Sequence, residues 1–301
     1  MFAKIAPAAP LNARMKHALT KSALIAAFAA VLACMPQTAG AGYEKASLRY
    51  DVEAPEKLGL KYDVYAGGFK ALNAELTMDL DPKAYDLALK AQTQGMIGSI
   101  FPWEATYATS GHAENGTPLP SLHTSRSNWK KSEKVTEMQY GPQGKLLKAV
   151  TREDNKTNVK KDFEPDLTRD AVDMLTGALQ MMQNTGMTDQ CAGSFPVFDG
   201  KRRFDIELTD DGKDTLSKSK YSAFRGEALR CIIRVKPVAG FKKKDKNRGW
   251  LAVQNHTEER NKPPTIWFAK LEENGPMVPV RMEIASSYGS VVAHLTGAQK
   301  Q

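Results

Sequence analysis

The chain has 301 residues, with 42 Lys and Arg against 34 Asp and Glu, and a formal charge of +8. Its 42% hydrophobic and 25% charged content is that of a globular protein able to bury a sizeable core, which excludes a disordered or fibrous chain. Three cysteines are too few for a disulfide-dense miniature fold, and no apolar run reaches the ~20 residues that a membrane-spanning helix needs.

The first 41 residues are expected to be an export signal. Lys16 and Lys21 form a basic start, Ala23 to Cys34 an apolar core, Pro36 a break, and Ala39-Gly40-Ala41 a small-residue cleavage site. Met15 to Ala41 is a complete signal by itself, so translation from Met1 or from Met15 gives the same mature chain. Val31-Leu32-Ala33-Cys34 resembles a lipobox and offers Cys34 as a rival processing site. Leu32 is unusual there and the later site is better formed, so cleavage after Ala41 is the expectation.

Cleavage removes four cations and no acid, lowering the charge from +8 to +4. The basic balance therefore gives little ground for a nucleic-acid partner. Residues 42–301 are expected to form a single periplasmic domain. Of the cysteines only Cys191 and Cys231 remain, one pairing in an oxidising compartment, and neither has a second Cys or His at metal-ligand spacing. A disulfide is expected.

Alternating polarity then predicts strands. Lys61–Ala66 and Phe69–Leu80 flank Gly67-Gly68 as a hairpin, and Tyr85–Ala91 follows Asp81-Pro82 as a third strand. Trp103–Ser110, Ser121–Trp129, Glu133–Tyr140 and Leu146–Arg152 continue the meander between glycines and prolines. Residues 168–182 change period, with apolar positions 171, 172, 175, 178, 179 and 182, Asp166 or Thr168 as N-cap and Gly186 as stop. Their Met-rich face suits packing into the concave side of a sheet, or lining a ligand cavity there. Strands resume over Arg203–Thr209, Leu229–Val235, Thr265–Leu271, Val278–Ser287 and Val291–Leu295. The fold class expected is mainly β: a curled antiparallel sheet, or half-open β-barrel, with one amphipathic helix packed on its concave side.

Candidate chemistry is sparse. The four histidines beyond residue 41 (His112, His123, His256 and His294) make no metal-binding spacing, and there is no nucleophile elbow, phosphate loop or dinucleotide fingerprint. No enzymatic activity and no cofactor or metal are expected. Asp199-Gly200 reads as a hairpin turn, and Lys201, Arg202 and Arg203 beside it offer an anion contact, such as a phospholipid head group. Lys242, Lys243 and Lys244, in the basic loop 242–248, offer a peripheral contact with an anionic membrane. The apolar loop Phe101-Pro102-Trp103 is a candidate for the mouth of a cavity.

Tyr62-Asp63-Val64-Tyr65-Ala66-Gly67-Gly68, Cys191, Pro196-Val197-Phe198-Asp199-Gly200-Lys201-Arg202-Arg203-Phe204-Asp205 and Cys231 resemble the exported proteobacterial family known as domain of unknown function 3108. The resemblance spans about Leu60 to Leu295 and carries no known activity. It implies a curled antiparallel sheet similar to periplasmic lipoprotein-carrier and β-spiral envelope proteins. The function expected is non-enzymatic: a periplasmic envelope protein binding a lipid, lipoprotein or other apolar ligand, with Leu175, Leu179 and Met182 supplying the apolar contacts. Two alternatives stay open: a structural or assembly factor that binds another envelope protein through a packed sheet with an open strand edge, and an unrecognised hydrolase using His112 or His256.

Overall fold

The computed structural model describes residues 52, 55–242, 245, 249–286 and 289–300. The expected export signal, Cys34, and Lys243 and Lys244 lie outside the described residues. Eight strands come first: β1 (Glu56–Ala66), β2 (Phe69–Asp81), β3 (Ala84–Thr93), β4 (Trp103–Glu114), β5 (Thr117–Trp129), β6 (Ser132–Tyr140), β7 (Leu146–Glu153) and β8 (Lys156–Lys160). Six follow a helical interlude: β9 (Ala192–Phe198), β10 (Arg203–Leu216), β11 (Gly226–Ala239), β12 (Thr265–Lys270), β13 (Met277–Ser286) and β14 (Gly289–Lys300). The helices are α1 (Gly95–Ile100), α2 (Pro165–Thr168), α3 (Met174–Thr188) and α4 (Gly249–Glu258).

All fourteen strands join one antiparallel sheet, ordered β8-β7-β6-β5-β4-β3-β2-β1-β14-β13-β12-β11-β10-β9. Each half is a meander. The halves join where β1 pairs with β14, from Leu58 opposite Lys300 to Ala66 opposite Val291, so strands from the two ends of the domain meet in mid-sheet. The Tyr62 hydroxyl donates to the Pro279 carbonyl at 2.9 Å and reinforces this seam.

One face of each strand is apolar because side chains alternate along an extended backbone. Tyr85, Leu87, Leu89 and Ala91 point inward from β3, as do Phe204, Ile206 and Leu208 from β10 and Leu229, Cys231, Ile233 and Val235 from β11. Register shifts interrupt six of the thirteen ladders, at Lys61/Tyr62, Val64/Tyr65, Ser110/Gly111, Asp210/Lys213 and Trp267/Phe268 among others. Such bulges bend a sheet and increase its twist. The result is a curled sheet whose edges, β8 and β9, do not hydrogen-bond to each other, so the barrel is not closed. A second apolar cluster fills the gap instead: Met138, Tyr140, Leu146 and Ala149 pack with Leu167, Ala171 and Phe198.

α3 lies within the curl and touches β4 and β5 from one half and β9, β12 and β13 from the other. It starts later than residues 168–182 predict. α2 ends at Thr168, Asp170 turns the chain at a φ of 56°, and Val172 bridges β9, its N–H donating to Pro196 at 3.1 Å and its carbonyl accepting from Phe198 at 2.8 Å. Those strand-like bonds win over helix continuation because both groups are buried and must be partnered. Ala171 and Val172 keep the apolar positions expected of them, on a backbone that is not helical. The helix also runs past Gly186 to Asp189, whose left-handed φ of 51° ends it. α1, α4 and β8 lie in stretches where the sequence predicts no element; α1 covers Gly95-Met96-Ile97-Gly98.

Cys191, just before β9, and Cys231, in β11, form the expected disulfide, with Cα atoms 5.4 Å apart and both side chains buried. The bond ties the chain leaving α3 to the second half of the sheet.

Candidate functional site

The position of α3 is set by one carboxylate. Asp173 is fully buried at the N-cap, and its Oδ1 accepts from the backbone N–H groups of Leu175 (2.9 Å) and Thr176 (3.2 Å). It also accepts from the Thr109 hydroxyl (2.7 Å) and lies 3.0 Å from His123 Nδ1, while Oδ2 accepts from the Thr176 hydroxyl at 2.6 Å. A hydroxyl carries one proton. Thr109 and Thr176 both give theirs to Asp173, so His123 Nδ1–H is shared between Asp173 and the Thr109 oxygen (2.7 Å), and the Tyr85 hydroxyl donates to Thr176 (2.9 Å). Burial alone would push the Asp173 carboxyl up. The adjacent His123 imidazole, and the hydrogen bonds from His123, Thr176 and Thr109, outweigh burial and hold it below the usual carboxylate range.

This cluster holds a helix rather than forming a relay. Thr109 and Asp173 meet the same ring nitrogen of His123, whereas a relay places nucleophile and carboxylate on opposite nitrogens. Farther along α3, Gln180 donates to the Pro118 carbonyl (3.0 Å) and Asn184 to the Ala192 carbonyl (2.5 Å). The buried face of the helix therefore carries a polar stripe, Asp173-Thr176-Gln180-Asn184, at three- and four-residue spacing. That spacing was visible in the sequence, but an apolar periodicity search passes over it.

With its N-terminus fixed, α3 directs its C-terminal half at the β12–β13 turn and the adjoining ends of β1 and β2. A cavity of about 490 Å³ remains there. Leu179, Met182, Gln183, Gly186 and Met187 line it from the helix, Met78 and Leu80 from β2, Met277 from β13, and Val52, Pro55 and Pro276 beside them. Gly186 lets the helix come close, since a Cβ there would sit 3.2 Å from the Cβ of Met277. Lys270, at the end of β12, and Lys300, at the end of β14, stand at the rim with Glu56. Lys300 is held between Glu56 (3.6 Å) and Glu272 (3.4 Å). Lys270 has no ion-pair partner among the described residues. Behind this lining, both the oxygen and the nitrogen of the Gln183 amide are buried without a hydrogen-bond partner among the described residues.

The residues singled out from sequence fall in different places. Leu179 and Met182 line the cavity, whereas Leu175 is buried in the core nearer the N-cap. Lys201, Arg202 and Arg203 lie on the β9–β10 turn and do not line it. There Asp199 Oδ1 accepts from the backbone N–H groups of Lys201 and Arg202, Arg202 Nε donates to Asp199 Oδ2 at 2.8 Å, and the guanidinium sits 5.3 Å from the Phe241 ring centroid. Arg203 pairs with Asp205 at 3.5 Å. Both arginines thus already hold carboxylates of their own chain, and of the three cations Lys201 has no ion-pair partner among the described residues. Lys242 is exposed, its backbone N–H bonded to Asp245.

Phe101-Pro102-Trp103 does not reach the cavity. It lies beyond α1 between the other ends of β3 and β4, where Phe101 packs near Trp129 and Trp103 donates its indole N–H to Ser127 at 3.0 Å. His112 bonds to the Pro142 carbonyl and Ser121, while His256 Nε2 is buried without a partner among the described residues; the histidine that meets a carboxylate is His123. Among the described residues no three His, Cys, Asp or Glu side chains are grouped to hold a metal, and no helix is long and apolar enough to cross a membrane.

No curated protein and no solved structure matches the chain, so the expected likeness to lipoprotein carriers has no solved counterpart. A family profile does match, over residues 61–296, which covers both halves of the sheet, the helix and the disulfide. The chain belongs to the family described as "Protein of unknown function (DUF3108)".

Proposed function

We propose that this is a non-enzymatic envelope protein, exported to the periplasm, that holds an apolar ligand between the helix and the concave sheet. The observation that carries the reading is the cavity of about 490 Å³ where the Met-rich end of α3 meets the sheet. Its volume falls in the range of about 300–1,000 Å³ typical of small-molecule sites. Methionine is unbranched and polarizable, so Met78, Met182, Met187 and Met277 can repack around ligands of varied shape. Each buried methylene of an acyl chain adds about 0.8 kcal/mol, so even a partly inserted chain is held by several kcal/mol. The Cys191–Cys231 bond agrees with an oxidising compartment.

The test is native mass spectrometry on mature protein purified from its own periplasm without detergent. An added mass of lipid size, lost on denaturation, is expected. A bare mass, together with no uptake of added lipid, would overturn the reading.

The assembly-factor alternative requires an open strand edge. β8 is a five-residue edge with lysine at both ends, and Val172 bonds to the edge of β9, both of which discourage strand addition. What favours a protein partner is a different surface, where Phe69, Met96 and Ile100 are more than half exposed around α1. A pull-down that loses its partner on Phe69→Ser with Met96→Ser would move the assignment to that reading.

A further inference from the structure

The cavity carries charge at its rim. Gln183 is a lining residue, but its amide is buried away from the open volume and is not offered to a ligand. Lys270 places an unpaired cation at the mouth, beside a second lysine already neutralised by Glu56 and Glu272. A lone ammonium at the rim of a cavity attracts an anion and repels a cation.

From these groups we infer the ligand class: a single-chain anionic amphiphile. The inference rests on the apolar-ligand reading above. The acyl chain lies among Met78, Met182 and Met277, and the negative head meets Lys270. The volume, in the lower half of the range of about 300–1,000 Å³ for small-molecule sites, suits one chain better than two. A fatty acid and a monoacyl phospholipid share this chemistry. In the first the carboxylate meets Lys270, and in the second the phosphate does.

The experiment is calorimetric titration of the lipid-stripped, disulfide-intact mature chain with laurate, dodecanol and dodecyltrimethylammonium, each below its micellar concentration. Laurate should bind about tenfold tighter than dodecanol, and the ammonium more weakly than either. Lys270→Glu should weaken laurate about tenfold or more and leave dodecanol within about twofold. Lys270 is an exposed strand end, so the variant should fold; an unchanged urea midpoint checks this, and Lys270→Gln gives the same ordering with a smaller change.

Equal binding of the three probes, or a Lys270→Glu variant that holds laurate unchanged, overturns the head-group inference while the apolar-ligand reading stands. Binding of none of them overturns the apolar-ligand reading itself. Tighter binding of a diacyl than of a monoacyl phosphatidylglycerol refutes the single chain. Competition between laurate and the monoacyl lipid then assigns the source: the tighter of the two is the natural class.

Discussion

Replacing Asp173 by Ala removes the acceptor on which five donors converge: the backbone N–H groups of Leu175 and Thr176, the hydroxyls of Thr109 and Thr176, and His123 Nδ1–H. Loss of the N-cap alone costs about 0.5–2 kcal/mol. Each buried donor left without a partner adds about 1–3 kcal/mol, though neighbouring losses do not add fully. Removing one partner from a buried ionic cluster typically costs about 3–5 kcal/mol, and a loss of about 4 kcal/mol is expected here. Asp173→Asn keeps one acceptor oxygen for the cap but presents an NH₂ to donors, so about 2 kcal/mol is expected. The assay is equilibrium urea unfolding with the disulfide intact, followed by far-ultraviolet circular dichroism and tryptophan fluorescence. In a double-mutant cycle, His123→Ala and Asp173→Ala should couple by about 0.5–3 kcal/mol. An Asp173→Ala loss below about 1 kcal/mol, in the range of ordinary surface substitutions, would refute the view that this carboxylate fixes the helix.

The same carboxylate sets an acid response. Its folded pKa lies below its unfolded value, so its stabilisation is present above about pH 4 and is lost as the pH falls through the folded value. Urea midpoints measured against pH should fall more steeply in this acid window for the native chain than for Asp173→Asn. Gly111 faces Tyr85 across the β3–β4 ladder, and a Cβ there would meet the Tyr85 ring and the Leu119 carbonyl. Gly111→Ala should therefore displace the ring, break the Tyr85–Thr176 bond and cost about 2–3 kcal/mol by urea unfolding, whereas Gly68→Ala meets no atom and should cost less. Replacing Cys191 and Cys231 together by Ser opens a 40-residue loop and should cost about 3–4 kcal/mol by chain entropy, seen as a lower urea midpoint.

Much of the scaffold was legible because it is local. Period-two alternation marks Lys61–Ala66, Phe69–Leu80, Tyr85–Ala91 and most later strands, since one face of each is buried whatever its neighbour is. The helical period from Ala171 to Met182 identifies the buried helix, and the two cysteines beyond the expected export signal identify their pairing. The helix start was missed because Val172 satisfies the apolar pattern equally well as a bridge to Val197, a competition decided by a partner 25 residues away. The short edge strand β8 was missed because all its side chains are exposed, so it carries no burial pattern.

The sequence by itself determined the two-sided strands, their antiparallel hairpins, the amphipathic helix and the disulfide, because each depends on residues near in the chain or on a single possible pairing. Tertiary structure alone decided that β1 pairs with β14, that Asp173 meets His123 and Thr109 inside the curl, and that Arg202 and Arg203 are engaged by neighbouring carboxylates. It also decided the cavity. Leu179 and Met182 line a void, while Leu175, on the same apolar face, is buried nearer the N-cap, because α3 is anchored at Asp173 and its far end stands over the β12–β13 turn. Periodicity says which face of a helix is apolar, but whether that face meets a side chain or an empty volume depends on strand ends far away in the chain.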